Sequence, residues 1–247
     1  MLKISTAPHM QTRQDTRSIM RDVIIALMPA ALAAILFFGI NALAVILTSV
    51  AACVACEYLA NRYWFKQGNT VTDYSAIVTG LLLAYNLPSS MPLWMILIGA
   101  FVAIVVGKLC YGGLGKNIFN PALVGRVFLF ISFPMQMTMW PKPEFLNLFA
   151  TDVQTGATTL GIIKHLDANT PLDYLKSHLP TYWQMLVGDI GGCLGEVSAL
   201  ALLLGLAYLL WRRIITWHIP VYYIGTVLVV TAVLWLATGD MRFNPLI

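Results

Sequence analysis

The sequence predicts an all-α fold, a polytopic bundle of transmembrane helices. Of 247 residues, 59% are hydrophobic and only 11% are charged, and the mean hydropathy is +0.77. A soluble domain carries about 25% charged residues, so the apolar excess must face lipid. The net charge of +4 is scattered at the ends of apolar segments, which does not predict a nucleic-acid surface. The first apolar segment lacks a following cleavage site and is expected to be a retained span.

Seven segments approach the length of about 20 mostly apolar residues that a membrane helix needs. They cover residues 23–39, 42–60, 71–87, 93–110, 118–136, 187–211 and 219–237. We therefore predict a cytoplasmic segment at 1–22, a first bundle of five spans at 23–136, a loop at 137–182, and the start of a second bundle at 183–247. Because residues 243–247 resemble the start of another helix, we expect a truncation at the C-terminus.

The distribution of Lys and Arg predicts the orientation of the chain. With the N-terminus in the cytoplasm, ten of the 15 basic residues lie on the inner side, four lie outside, and Arg126 falls within a span. The positive-inside rule favours this arrangement. It places the loop at 137–182 on the outer face, where its length suggests a functional, ordered cap.

One motif in this loop carries residues suited to chemistry. It consists of Asp152, Thr155, Gly156, Ala157, Thr158 and Thr159, with Val153 and Gln154 after the aspartate. Gly156 and Ala157 leave room for a bulky group to approach the backbone. Asp152 can bind a divalent metal or orient a hydroxyl, and Thr158 offers an alcohol for a phosphoester. The residues alone favour the alternative, a glycine-centred turn with local threonine hydrogen bonds.

The octapeptide resembles the D-x-x-[ST]-G-A-T-[ST] acceptor motif for covalent flavinylation and matches all six specified positions. The resemblance implies that a flavin transferase attaches FMN to Thr158 through a phosphoester on the outer membrane face. We assign no catalytic side chain and no metal site to this chain.

Three further segments, Ser5–His9, Val71–Leu83 and Gly112–Arg126, resemble the D subunit of the Rnf complex, an ion-translocating ferredoxin–NAD oxidoreductase. The B subunit of the sodium-pumping NADH–quinone reductase is similar, but the short N-terminus and Thr155 favour the Rnf family member. The resemblance implies an electron-transfer subunit of a redox-driven sodium or proton pump in the inner membrane of a bacterial or archaeal cell. The implied partners are the A, B, C, E and G subunits, with electrons passing from G towards C.

Asn117 and Asn120 are three residues apart and are expected to share a helix face. They could serve as helix caps before Pro121. In the related quinone reductase protein, the matching asparagines lie near a noncovalent riboflavin. The resemblance therefore implies a second flavin, riboflavin, bound here without a covalent link.

Acidic residues in membrane segments are candidates for ion coupling, because burying them is costly. Glu196 and Asp189 lie seven apart, which predicts one face of the sixth span. We single out Glu196 and Asp73, with structural hydrogen bonding as the alternative for Glu196. Asp189, Asp73 and Glu57 lie close enough to predicted interfaces to be solvated.

The pair Cys53 and Cys56 forms a C-x-x-C inside an apolar run. Small residues on a helix-packing face explain it; the alternative is half of an iron–sulfur or redox site shared with a neighbouring subunit.

Two weak similarities suggest an inverted repeat. Phe119–Ala122 recurs loosely as Phe243–Leu246, and Asp73 and Asp189 each precede a leucine-rich run that ends in Ala-Tyr. Chance is the alternative explanation. A permease or channel without flavin would also suit the fold and the buried acids, and the flavin motif is what favours electron transfer.

Overall fold

The computed structural model describes residues 15–65, 71–143, 145, 156 and 180–239. Within them every regular element is a helix, which confirms the all-α prediction. The α-helices are α1 (Thr16–Ala60), α2 (Ser75–Tyr85), α3 (Leu93–Phe101), α4 (Pro121–Ser132), α5 (Pro134–Met137), α6 (Tyr182–Val187), α7 (Ala199–Trp211) and α8 (His218–Thr238). Two π-helical turns (Asn61–Phe65 and Val102–Val106) and two 3-10 turns (Val71–Asp73 and Leu109–Tyr111) extend them.

Helix α1 contains two membrane spans joined by a sharp bend. Gly39 has φ 63° and ψ −145°, a conformation that glycine adopts far more readily than other residues. A straight helix of 45 residues would be about 68 Å long, twice the thickness of a bilayer core. The bend at Gly39 falls at the boundary between the spans predicted at 23–39 and 42–60.

The two ends of α1 lie at the same end of the bundle. Near its start, Arg17 donates a hydrogen bond to the Tyr74 hydroxyl at 2.9 Å. Near its finish, Glu57 contacts Lys108, which also contacts Ser75. Because Tyr74 and Ser75 are adjacent in the chain, the two ends of α1 lie near each other at one end of the bundle. We call it the N-terminal end of the bundle, and it is the end that the charge pattern predicts to be cytoplasmic.

Helices α2, α3 and α4 pack with α1 around the apolar core. Ser49 of α1 donates a hydrogen bond to the Gly80 carbonyl of α2 at 2.8 Å. Side chains from several helices are fully buried there, among them Leu83, Ile96, Ile104 and Leu129. This core fixes the start of α2 and the end of α3 beside each other, which matters for the polar network described below.

The prediction of a single sixth span over 187–211 is wrong. Residues 188–198 have irregular backbone, and helix α7 begins only at Ala199, with the Ser198 side chain as its N-cap. Gly188 has φ +118°, and the backbone amides of Leu194 and Gly195 donate to the carbonyls of Leu87 and Tyr85. These long-range hydrogen bonds replace those of a helix.

Helix α7 packs against the first half of α1. A side chain at Gly205 would collide with the Ala26 carbonyl, so the two backbones touch. Asp22, which is buried, accepts hydrogen bonds from Tyr208 at 3.2 Å and from Arg212 at 3.0 Å. The Asp22 carboxylate also raises the pKa of the Arg212 guanidinium above its ordinary value. The C-terminal end of α7 therefore lies at the N-terminal end of the bundle.

Helices α2 and α7 run in opposite directions, as an inverted repeat requires. Shifting the chain by 123 residues aligns Asp73-Tyr74-Ser75-Ala76 with Glu196-Val197-Ser198-Ala199, and Ala84-Tyr85 with Ala207-Tyr208. The helix starts coincide in this alignment to within one residue, at Ser75 and Ala199. In this alignment Asp73 pairs with Glu196, whereas the sequence pattern paired it with Asp189.

Helix α8 lies apart from the core. None of its residues is buried, and it is apolar on all sides. Three helical stretches in the described residues are long and apolar enough to cross a membrane: Thr16–Phe65, Leu93–Tyr111 and His218–Thr238. Together with the shorter apolar helices, they support a multi-pass membrane protein.

Candidate functional site

Gly156 is the one residue of the flavin motif that the structure describes; Asp152, Thr155, Ala157, Thr158 and Thr159 lie outside the described residues. The Gly156 amide donates a hydrogen bond to the Trp140 carbonyl at 2.9 Å. A Cβ at Gly156 would lie 3.1 Å from Cγ of Lys142 and 3.2 Å from its Cε. The lack of a side chain at Gly156 thus lets its backbone lie close to the Trp140–Lys142 strip.

This strip lies at the end of the bundle opposite to the N-terminal end. The Phe145 ring packs at a tilt of 52° against Phe37, which is two residues before the bend in α1, with ring centroids 5.4 Å apart. Phe133, at the end of α4, packs edge-on against Trp94 at the start of α3, also at 5.4 Å. The start of the long loop therefore sits where the bend of α1 and the start of α3 meet.

The same strip contacts the irregular 188–198 segment. A Cβ at Gly191 would lie 3.6 Å from the Pro141 carbonyl oxygen and 3.9 Å from Cβ of Trp140. The Trp140–Lys142 strip is thus flanked by Gly156 and by Gly191. The tertiary structure joins the flavin motif to a segment that lies some 35 residues later in the chain.

A polar cluster lies where the 188–198 segment meets the end of α2. Arg126 donates a hydrogen bond to the Asn86 side-chain oxygen at 2.6 Å and contacts the Cys193 sulfur at 3.7 Å. Cys193 is buried and donates to the Asn86 carbonyl at 3.6 Å. Sequence reasoning placed Arg126 within a span without assigning it a role, although a basic residue inside a membrane segment is a candidate functional group by default.

Glu196 belongs to this cluster rather than to a helix. Its carboxylate lies beside the Cys193 thiol, and its side chain is exposed at the surface of the described structure. Asp189 is also exposed, and irregular backbone separates the two. The prediction that they share a helix face is wrong because the glycines at 188–195 and the hydrogen bonds to α2 prevent a helix.

A second polar network lies at the N-terminal end of the bundle. The Lys108 ammonium donates to the Glu57 carboxylate and to the Ser75 hydroxyl, both at 2.6 Å. Ser75 in turn donates to the half-buried Asp73 at 2.5 Å through its hydroxyl and at 2.8 Å through its amide. Glu57 is 0% exposed, so the expectation that it is solvated is wrong. Packing of α1 against α2 and α3 covers it, and Lys108 neutralises it.

Asn117 and Asn120 precede a helix rather than sharing one of its faces. Pro121 occupies the first helical position, and Asn120 is the N-cap, accepting a hydrogen bond from the Ala122 amide at 3.0 Å. Asn117 donates to the Phe119 carbonyl at 3.0 Å. The predicted shared face is wrong, because a proline at this position starts the helix after both asparagines. The capping alternative holds for Asn120.

Cys53 and Cys56 are free thiols in the second half of α1. Cys53 is fully buried, in agreement with a role in helix packing. Cys56 lines an apolar cavity of about 360 Å³ together with Leu59, Ala60, Tyr63, Trp64, Phe101 and Val105. Tyr63 and Trp64 belong to the first π-helical turn and Val105 to the second, so both turns line this cavity.

Comparison with known proteins identifies related chains. Residues 3–247 match the family described as NQR2, RnfD, RnfE. The chain is 41% identical over 242 residues to the D subunit of the proton-translocating ferredoxin:NAD(+) oxidoreductase complex of Clostridium ljungdahlii, and the match covers 98% of this chain and 72% of the relative.

Two more relatives show the same relationship. The chain is 41% identical over 228 residues to the D subunit of the Na(+)-translocating ferredoxin:NAD(+) oxidoreductase complex of Acetobacterium woodii, covering 92% of this chain and 67% of the relative. It is 36% identical over 270 aligned residues to the D subunit of the ion-translocating oxidoreductase complex of Mannheimia succiniciproducens. This match covers 98% of this chain and 75% of the relative.

Proposed function

The chain belongs to the NQR2, RnfD, RnfE family, and we propose that it is the membrane electron-transfer D subunit of an ion-translocating ferredoxin–NAD oxidoreductase complex. The names of its relatives support this proposal, since three of them are the D subunit of such complexes or of an ion-translocating oxidoreductase. The chain contributes to an oxidoreductase only as part of the assembly, alongside the A, B, C, E and G subunits. The alternative within the family is a part of sodium-pumping NADH–quinone reductase that resembles its B subunit.

We propose further that FMN is attached to Thr158 by a phosphoester. The six matching motif residues carry this proposal, and the surroundings of Gly156 suit it. The Lys142 stem lies against Gly156, two residues before Thr158, and a lysine ammonium is a good partner for a phosphate. When bound, the flavin supplies one- or two-electron redox chemistry, while the protein anchors it and sets its electrostatics.

The experiment is expression of the full complex with its flavin transferase, followed by a denaturing gel viewed under ultraviolet light. The protein should give a fluorescent band, and its intact mass should include one FMN. Thr158→Ala should abolish both signals, whereas the matched control Thr151→Ala, a threonine outside the motif, should keep them. A Thr158→Ala protein that still fluoresces would contradict this attachment site. A wild-type protein without the adduct would favour a permease or channel.

A noncovalent riboflavin at Asn117 and Asn120 is a further proposal. Asn120 uses its side-chain oxygen as a helix cap, which leaves its amide nitrogen to donate to a ligand. The flanking side chains of Ile118 and Phe119 are 70% and 62% exposed and could pack against a flat ring. Acid extraction of the complex followed by chromatography should release one riboflavin. Asn120→Asp keeps the cap but loses the donor, so it should lower the riboflavin content.

Asp73 is proposed to take part in ion coupling through the network that leads from it to Ser75, Lys108 and Glu57. It is the half-buried member of that network, so it can exchange with solvent. Glu196 is its counterpart in the predicted inverted repeat. In liposomes that contain the complex, Asp73→Asn should reduce ion transport more than electron transfer, and equal losses of both would count against coupling. Two relatives that are each 41% identical to this chain are named for different ions, H⁺ and Na⁺. The transport of both ions is therefore to be measured.

The proposed location is the inner membrane of a bacterial or archaeal cell, with the N-terminus in the cytoplasm and the flavin loop outside. The excess of basic residues at the N-terminal end of the bundle supports this orientation. A cysteine introduced at Lys142 should react with a membrane-impermeant maleimide in intact cells. A cysteine introduced at Lys116 should react only after lysis, and the opposite pattern would reverse the topology.

A further inference from the structure

The apolar cavity beside Cys56 lies between the last turns of α1 and the end of α3, and the proposed electron transfer does not involve it. Its volume of about 360 Å³ falls within the range of about 300–1,000 Å³ that is usual for ligand pockets. Ala60 and Val105 at its inner wall are buried, whereas Tyr63 and Trp64 at its rim are exposed. The cavity therefore opens sideways, away from the core of the bundle and towards the membrane.

The helices that form this cavity are locally distorted. Tyr63 and Trp64 lie on the π-helical turn that ends α1, and Val105 lies on the π-helical turn that ends α3. Such turns are rare, and they occur frequently at functional sites. Trp64 also packs edge-on against Phe101 of α3, with ring centroids 6.0 Å apart, so the two helices share one aromatic wall. Two distorted turns that line the same space indicate a site shaped for a ligand.

The cavity runs from the apolar part of the second span to the surface of the membrane. Cys56 precedes Glu57, and Val105 is three residues before Lys108, so the cavity lies at the level of the Lys108–Glu57 ion pair. From Cys56 to Trp64 the helix rises by about 12 Å. The cavity thus opens at the N-terminal end of the bundle, which the charge pattern predicts to be cytoplasmic.

The outer rim of the cavity carries a positive charge. Arg62 is exposed and donates a hydrogen bond to the Tyr58 hydroxyl at 2.9 Å, and each of the two is adjacent in sequence to a residue that lines the cavity. The guanidinium has five N–H donors, so further donors can bind the oxygens of a phosphate. Glu57, the acid nearest in sequence, is 0% exposed and paired with Lys108, so it does not neutralise Arg62.

We propose that this cavity binds an anionic phospholipid, with one acyl chain between α1 and α3 and the phosphate group at Arg62. Basic pockets between membrane helices on the cytoplasmic side suit anionic head groups, and tyrosine and tryptophan are enriched at head-group level. Charged residues are depleted at the core of protein–protein interfaces, so the arginine at the rim favours a lipid over a side chain of a neighbouring subunit. The leaflet rests on the proposed orientation, whereas the site itself rests on the membrane fold and does not depend on flavin.

The test is photocrosslinking of the purified complex with phosphatidylglycerol that carries a diazirine in one acyl chain, followed by peptide mass spectrometry. Adducts should form on Cys56 and Phe101, and unlabelled phosphatidylglycerol should compete with their formation. Phosphatidylcholine with the same label should give about fivefold less adduct, the effect of one basic residue on an anionic lipid. Equal labelling by the two lipids overturns the proposal. So does the absence of adducts at both residues, which would assign the cavity to a neighbouring subunit.

A first pair of variants tests the phosphate contact. Arg62→Met removes the charge at the rim and should reduce labelling by phosphatidylglycerol to the level of phosphatidylcholine. The matched control Arg21→Met removes an exposed arginine near the start of α1, at the same end of the bundle, and should leave labelling unchanged. If Arg62→Met is labelled as strongly as the wild type, the proposal is overturned.

A second pair of variants tests the acyl-chain position. Cys56→Phe places a ring in the cavity and should lower the labelling of Phe101 by both lipids. Leu47→Phe enlarges an exposed side chain of α1 outside the cavity lining, and it should not change that labelling. Equal labelling of Phe101 in the two variants would place the lipid outside the cavity.

The unaltered protein provides a further measurement if Cys56→Phe does not fold. Phosphatidylglycerol added to the delipidated complex in detergent should slow the alkylation of Cys56 by a small apolar maleimide. The exposed Cys110 should react at the same rate with and without this lipid. A lipid that leaves the reaction of Cys56 unchanged, or that slows both thiols equally, overturns the proposal.

Discussion

Replacing Lys108 by methionine removes the positive charge of the buried ion pair and keeps most of the side-chain volume. Lys108 and Glu57 are 2% and 0% exposed, and their charged atoms are 2.6 Å apart. The substitution would leave the Glu57 carboxylate inside the bundle without the ammonium that neutralises it. We expect a large loss of stability that depends on Glu57.

The magnitude follows from the geometry. Unit charges 2.6 Å apart attract by about 6 kcal/mol at an effective dielectric constant of 20, and the loss of hydration offsets part of this. Removing one partner of a buried pair costs about 3–5 kcal/mol, whereas replacing both by apolar or neutral groups is often close to neutral. Lys108→Met should therefore lower the free energy of unfolding by about 3–5 kcal/mol. Glu57→Gln combined with Lys108→Met should recover most of this loss.

The assay is unfolding of the purified protein in mild detergent by increasing mole fractions of dodecyl sulfate, followed by tryptophan fluorescence. The four proteins of the double-mutant cycle give the coupling between the two side chains. Lys116→Met, which removes an exposed lysine in the loop before α4, serves as the control for loss of charge. If Lys108→Met unfolds at the same point as Lys116→Met, or if the double variant is no more stable than the single one, the reasoning is refuted.

Three further predictions concern the backbone. Gly39→Ala places a side chain at φ 63° and should cost about 1–3 kcal/mol, seen as an earlier midpoint in the same unfolding titration. Gly205→Val should push α7 away from the Ala26 carbonyl and lower the thermal midpoint of unfolding in detergent. The control Gly225→Val, whose side chain would meet no atom within 4 Å, should leave that midpoint unchanged. Equal effects of the two substitutions would contradict the close contact between α7 and α1. Asn120→Ala should cost about 1 kcal/mol through loss of the helix cap, and Asn120→Asp, which keeps the acceptor, should be close to wild type in unfolding titrations.

The helical class and the flavin motif were predictable from the sequence because both depend on local properties. Apolar content and segment length identify membrane helices, and the break between the first two spans coincides with Gly39. The inverted repeat stays a prediction. The sequence pattern paired Asp73 with Asp189, whereas aligning the helix starts at Ser75 and Ala199 pairs Asp73 with Glu196.

The sixth span was predicted wrongly because hydropathy averages over a window and does not detect where backbone hydrogen bonds go. The strongly apolar run at Ala199–Trp211 makes the whole window at 187–211 look like a span, but amides within 188–198 bond to carbonyls at the end of α2. The shared helix face of Asn117 and Asn120 failed for a related reason. There a proline in the first turn decided where the helix begins.

By itself, the sequence determined that the chain is a helical membrane protein, that the loop at 137–182 is its long polar connection, and that the residues around Thr158 resemble a flavinylation motif. These properties are set by composition and by runs of neighbouring residues. Only the tertiary structure decided that Lys108 neutralises Glu57 and that Arg126 meets Asn86 and Cys193. Those partners are 40 to 67 residues apart in the chain, so tertiary packing is what brings their side chains together.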